Sequence, residues 1–254
     1  MTLELALLAL ASLLAGLVDA IVGGGGLILV PALFAVFPSA PPPTLLGTNK
    51  IAAIWGTLIA SARFAKQVSL QWRLLLPAAA FALLGSWSGA WVVTQTDPSY
   101  LRKLLPLILI AVLVYTLWNK NLGQHHKPLH SGIKELAVIC SIGIVIGFYD
   151  GFFGPGAGSF FVFLLVRLLG YDFLNASASA KVLNTATNFA ALALFAWKGH
   201  VWWQIGMMLA VANIAGSIVG SYLALKHGAS FVRYVFIAVV GMLTIKTGYD
   251  AFLR

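Results

Sequence analysis

The sequence predicts an all-α integral membrane protein assembled from two homologous halves. Three observations carry this. Only 9% of the residues are charged and 60% are hydrophobic, whereas a soluble domain carries about 25% charged residues. Too little charge is left to cover a water-facing surface. Apolar runs long enough to cross a membrane recur along the chain. Residues of uncommon type in the first half also return in the second at one fixed distance, as Asp19 and Asp150 do, 131 positions apart.

A run of about 18–25 apolar residues suits a transmembrane helix. Six ordinary runs occupy 44–62, 74–93, 103–118, 173–197, 203–225 and 231–252. Two longer regions, 3–37 and 135–170, exceed one crossing and are broken by glycines at 23–26 and 154–158. The N-terminal run imitates a signal peptide but carries Glu4 where a basic region belongs, so it reads as the first membrane helix. The most polar stretch, 119–134, is the expected linker between a first repeat, 1–118, and a second, 135–254.

The fixed spacing relates Gly16 to Gly147, Gly23 to Gly154, Gly25 to Gly156, Lys50 to Lys181 and Arg102 to Arg233. "GSWSG" at 85–89 likewise meets "GSIVG" at 216–220. Such repeats are either parallel or inverted, and loop charge discriminates because Lys and Arg collect in cytoplasmic loops. If each broken region crosses once, eight crossings result, and the N-terminal side holds 8 basic loop residues against 5. If each crosses and returns, ten segments result. The N-terminal side then holds Arg102, Lys103, Lys198 and Arg254, 4 against 9. The sharper split favours ten segments, five per half, which makes the repeats inverted and both termini external. Length is the difficulty: the 11 residues from Leu27 to Phe37 span about 16 Å as helix, half of a ~30 Å core. The return would then be a half-helix or re-entrant piece, and the eight-crossing arrangement stays open.

Several function classes are excluded. The net charge of +9 suits loops rather than nucleic acid, since no Lys/Arg run of five occurs. The histidines, His125, His126, His130, His200 and His227, fall in loops and form no H-E-x-x-H spacing, so no metal site is expected. No G-x-S-x-G elbow and no phosphate-binding G-x-x-x-x-G-K-[ST] loop is present, so neither an enzyme nor a cofactor is expected. The lone Cys140 has no intramolecular disulfide partner and suits packing.

The glycine breaks carry the first functional signal. Glycines at 85, 89, 216 and 220 suit close helix packing. Four consecutive glycines do not, since each costs about 1 kcal/mol relative to alanine in a helix, and Pro155 removes a further donor. Unwound backbone at membrane depth is tolerated where it is buried in protein or lines a wet cavity. A helix restarting after each break, near Leu27 and Ser159, presents free N–H groups and a positive dipole end to an anion. Gly24, Gly25 and Gly26, with Gly156, Ala157 and Gly158, are therefore candidate substrate-binding positions.

Lys50 and Lys181 stand inside apolar runs, where a charge is costly and marks function. Snorkelling to the headgroups is the alternative for Lys50, which closely follows the loop "PSAPPP". Lys181, Asn184 and Asn188, spaced i, i+3, i+7, share a helical face. The equivalent face carries Lys50, Ala53 and Thr57, with Thr48 and Asn49 beside it. Asn and Thr donate to an oxyanion without adding charge, though interhelical hydrogen bonding explains Asn184 and Asn188 as well. Asp19 and Asp150 each precede a break by four residues. Three roles are open to them: a coupling proton, an ion pair with Lys50 or Lys181, or a cap on the broken helix.

The stretches "GLVDAIVGGGGLILVPAL", "GTNK", "GFYDGFFGPGAGSF" and "AKVLNTATN" resemble the TauE/SafE family of bacterial membrane permeases, also called sulfite or organosulfonate exporters. The resemblance covers nearly the whole chain. It implies secondary transport of a small anion, often a sulfur compound, across the bacterial inner membrane. The halves depart from one another where Asn49 meets Ala180 and Gly24 meets Pro155, so unequal contributions are expected. The expected function is a permease for a sulfur oxyanion or organosulfonate, with the coupling ion, a proton among the options, left open and an anion channel as the rival. The expected partners are that anion and the lipid bilayer. Direction of transport and oligomeric state, a homo-oligomer included, stay open.

Overall fold

The computed structural model describes residues 2–95 and 126–252, together with residues 110, 114 and 123. The run expected at 103–118 and much of the linker lie outside the described residues. Among the described residues every regular element is helical: α1 (Thr2–Val22), α2 (Gly26–Val36), α3 (Pro42–Gln67), α4 (Trp72–Val93), α5 (Gly132–Phe152), α6 (Ala157–Leu169), α7 (Phe173–Trp197) and α8 (Trp203–Phe252). The last is two helices joined at Gly228, whose φ is 72°, matching the separate runs at 203–225 and 231–252.

Local chemistry sets the boundaries. α3 starts on a proline directly after Pro41, because proline's missing donor and fixed φ suit a first turn. Asp172 caps α7 by accepting the Asn175 N–H at 2.8 Å, which satisfies a donor the helix leaves orphaned. α1 and α5 stop at the two breaks, where Gly23 has φ 80° and Gly154 φ 92°, values that disfavour any residue with a Cβ.

Among the described residues, four stretches are long and apolar enough to cross a membrane: Leu3–Val22, Trp72–Val93, Gly132–Phe152 and Trp203–Met242. α2 and α6, with 11 and 13 residues, reach about 16–20 Å and fall short of a ~30 Å core. α3 and α7 have the length, at 26 and 25 residues, but their polar residues dilute the apolar run. Their polar groups point inward: Thr48, Asn49, Lys50, Lys181, Asn184 and Asn188 are all buried. Large apolar side chains face outward instead, among them Leu3 (72% exposed), Leu7, Leu10 and Leu14 on α1 and Leu76, Leu84 and Trp91 on α4. This inside-out arrangement is suited to lipid.

The contacts between helices repeat with the sequence. α4 packs along α5, with Gly143, Gly147 and Gly151 seated on the carbonyls of Ala78, Ala82 and Ser86. α8 packs along α1, with Gly16 on the Asn213 carbonyl and Gly216 and Gly220 on those of Leu13 and Leu17. A Cβ at any of these six glycines would strike backbone. Gly85 and Gly89 meet the carbonyls of Ile144 and Phe148 in the same way, so the packing role expected of 85, 89, 216 and 220 is what the structure displays. Three contacts in one seam are 131-shifted copies of contacts in the other: Gly147–Ala82 matches Gly16–Asn213, Gly85–Ile144 matches Gly216–Leu13, and Gly89–Phe148 matches Gly220–Leu17. Each half thus packs its fourth-helix seam against the first helix of the other half.

The equivalent helices α3 and α7 pack in opposite directions. Thr44 meets His200 (3.1 Å), Thr57 meets Asn188 (3.4 Å) and Ser61 meets Thr185 (3.1 Å), so positions rise along α3 as they fall along α7. Thr57 and Asn188 are themselves 131 apart and touch. α3 and α8 run together, with Thr48 and Ile51 beside Gly206 and Gly56 beside Asn213.

Candidate functional site

The two breaks meet at the centre. The Ser159 N–H donates to the Gly23 carbonyl at 3.0 Å, and the Ser159 hydroxyl donates to the Val22 carbonyl at 3.1 Å. Ser177 on α7 donates to the Ile21 carbonyl at 2.9 Å. The last carbonyls of α1, orphaned by the break, are thus satisfied by the second half. Gly23 and Gly158 approach so closely that a Cβ on either would strike the other's backbone.

This crossing modifies the expected anion site. α2 and α6 restart at Gly26 and Ala157, slightly earlier than Leu27 and Ser159. The Ser159 amide faces the Gly23 carbonyl rather than open space, because the two breaks lie against one another. Gly26 and Gly158 are the helix-start residues that border an open volume.

That volume is a small, partly open polar cavity lined by Asp19, Gly23, Gly26, Asn49, Lys50, Ala53, Asp150, Gly154, Gly158, Asn184 and Asn188. Six of the twelve expected substrate-binding residues line it: Gly26, Asn49, Lys50, Gly158, Asn184 and Asn188. Both expected acids line it as well. Gly24, Gly25, Gly156 and Ala157 lie within the breaks but outside the lining. Thr48 is engaged elsewhere: its hydroxyl donates to the Thr44 carbonyl (2.7 Å) and accepts the Trp202 N–H (3.1 Å). Gly23, Gly154 and Ala53 line the cavity without having been singled out as ligands. The signal for Ala53 was available, since it is the repeat equivalent of Asn184.

Charge in the cavity is paired crosswise. The Lys50 ammonium of the first half donates to Asp150 Oδ2 of the second at 2.7 Å, and both side chains are 4% exposed. The Lys181 ammonium of the second half donates to Asp19 Oδ2 of the first at 3.3 Å, with exposures of 0% and 13%. Lys50 therefore does not snorkel. Of the three roles open to the acids, an ion pair is the one the geometry displays. Two lysines and two aspartates leave no net charge, as buried charge requires. The pairs are not equal: Lys50 faces the cavity and Lys181 lies outside its lining. Asn188 donates to the Thr57 hydroxyl at 3.4 Å, so it packs between helices and borders the cavity at once. Among the described residues no group of His, Cys, Asp and Glu is arranged to hold a metal ion.

A helical, lipid-facing protein with paired charges around a central polar cavity has the make-up of a membrane transporter. The comparisons with known proteins agree. The model of the family described as sulfite exporter TauE/SafE matches residues 8–247. A probable membrane transporter protein of Haemophilus influenzae is 34% identical over 246 residues, covering 97% of this chain and 95% of the relative. The probable membrane transporter protein YfcA of Escherichia coli K12 is 37% identical over 251 residues, covering 98% and 91%. A third relative, the probable membrane transporter protein ORF9 of a Sinorhizobium species, is 34% identical over 242 residues, covering 95% and 91%. No solved structure matches the chain. The chain belongs to the TauE/SafE sulfite exporter family. It is an integral membrane protein of the transporter class and not an enzyme.

Proposed function

We propose that this protein is a secondary transporter that carries a small anion, a sulfur oxyanion or organosulfonate, across the bacterial inner membrane with protons as the coupling ion. One observation carries the reading: both helix breaks converge on a cavity that holds a lysine, three asparagines and two helix starts. Each of these groups is suited to an oxyanion. The ammonium supplies charge, the carboxamides supply neutral donors, and the helix N-termini at Gly26 and Gly158 supply a favourable dipole. The substrate class follows the family description. Asp19 and Asp150 are the acids available to carry the proton.

The proposed architecture is a pair of inverted repeats of five segments each. Support comes from the antiparallel packing of the equivalent helices α3 and α7. It comes also from α1 and α3, which both run with α8 and so with each other. The chain must travel back between them, and α2 is the segment placed to do so. Alternating access would then come from rocking one half against the other around the cavity.

The test is flux of sulfite, thiosulfate and sulfoacetate into liposomes containing the purified protein. The expected result is saturable flux driven by a proton gradient and lost in Lys50→Ala. Flux that rises linearly with concentration and ignores the proton gradient would refute the proposal and describe an anion channel.

A further inference from the structure

The two ion pairs hold equivalent places in the repeat but differ in what they can do. Lys50 stands on the cavity wall beside Asn49, Asn184 and Asn188. An anion in the cavity can reach its ammonium. Lys181 is completely buried, and its ammonium is engaged by Asp19. Releasing Asp19 would strand a buried ammonium with no anion in reach. Releasing Asp150 leaves Lys50 satisfied by the arriving anion and strands only a carboxylate, which one proton neutralises.

We propose that the anion binds by replacing Asp150 on the Lys50 ammonium, that Asp150 takes up one proton as it is released, and that the Lys181–Asp19 pair stays closed and holds α7 to α1. This assignment rests on the anion reading above and deepens it by fixing which acid works and with what stoichiometry. In the exchange, the Lys50 N–H bond to Asp150 Oδ2 is replaced by one to an anion oxygen. The freed carboxylate gains one O–H bond, with the proton drawn from water in the cavity. A monoanion and one proton arriving together leave the charge of the buried site unchanged, which avoids the large cost of an uncompensated buried charge.

The groups around Asp150 are consistent with this. From α3 it faces Lys50 at 2.7 Å. From α1 it shares the cavity with Asp19, which is engaged by Lys181 of α7. From α7 it otherwise faces the neutral Asn184 and Asn188. On its own helix, the neighbouring Tyr149 has its hydroxyl engaged, donating to the Pro155 carbonyl at 2.6 Å. α4 and α6 contribute no titratable residue to the cavity lining; their Arg73 and Arg167 stand near helix ends.

The experiment is calorimetric titration of the purified full chain with methanesulfonate and with ethanesulfonate, monoanions that do not titrate near neutral pH. Each titration is run in two buffers of different protonation enthalpy, which yields the protons taken up per anion bound. Wild type is expected to take up about one proton and, across the pH range in which it does so, to lose about tenfold in affinity per pH unit as pH rises, the slope of one linked proton. Asp150→Asn is expected to bind with no proton uptake and no pH dependence. Binding by wild type with zero uptake, or uptake that persists in Asp150→Asn, overturns this assignment and leaves the anion reading standing. No binding of either anion by wild type overturns the anion reading and this assignment with it. Should Asp150→Asn fail to insert, the wild-type proton count decides alone.

Discussion

At the residue scale, the lysines and aspartates depend on one another. Lys50 and Asp150 are each 4% exposed, so removing one leaves the other buried and charged. Lys50→Ala is expected to cost about 3–5 kcal/mol, the range for breaking a buried pair, read as a fall in the thermal unfolding midpoint in detergent. The double variant Lys50→Ala/Asp150→Asn should recover much of that loss, because the orphaned charge is gone. A double variant no more stable than the single one would show that the loss does not come from a stranded Asp150 carboxylate. Gly154 is constrained differently. Its φ is 92°, and a Cβ there would lie 3.6 Å from the Lys50 ammonium. Gly154→Ala should therefore lower stability by about 1 kcal/mol or more and weaken anion binding, whereas Gly132, whose added Cβ would meet nothing, bears on stability alone.

At the element scale, the helices that carry the site are held by caps and glycine seams. Asp172 fixes the start of α7, on which Lys181, Asn184 and Asn188 stand. Asp172→Ala should cost about 1 kcal/mol through the lost cap, measured by thermal unfolding, while leaving the cavity residues in place. The seams are less tolerant. Gly147 and Gly16 sit on opposing carbonyls in the two equivalent seams, and Gly147→Leu and Gly16→Leu should each cut the yield of folded protein severely in size-exclusion chromatography. Equal tolerance of leucine at both positions would count against the seams as close packing. The sequence made these glycines visible as repeats. It did not reveal that the seams join one half to the other, since a spacing rule cannot say which helix supplies the opposing carbonyl.

At the scale of the whole molecule, the crosswise arrangement ties the halves into one unit: two ion pairs, two seams and one backbone contact between the breaks all run between them. The inverted reading has a direct test. Ser69 and His200 are 131 positions apart in the loops that follow α3 and α7. Single cysteines there, in a Cys140→Ala background, should label from opposite faces of the membrane with an impermeant maleimide. Labelling of both from one face would establish parallel repeats and overturn the inverted reading.

The sequence by itself determined the class and the ingredients. Sparse charge dictated a lipid-facing helical protein, and a constant spacing of rare residues dictated duplication. Consecutive glycines dictated where helix must unwind, and lysines and aspartates inside apolar runs marked a buried polar site. Each of these is a local or periodic property, carried by composition and spacing alone. Tertiary structure decided how the ingredients combine. It set Lys50 against Asp150 and Lys181 against Asp19, turned the Ser159 amide toward Gly23, took Thr48 away from the cavity and placed Ala53 on its wall. Those outcomes depend on which surfaces meet when the two halves interlock. Charge neutrality demands that every buried lysine find an acid, and only the packing of the halves selects which one.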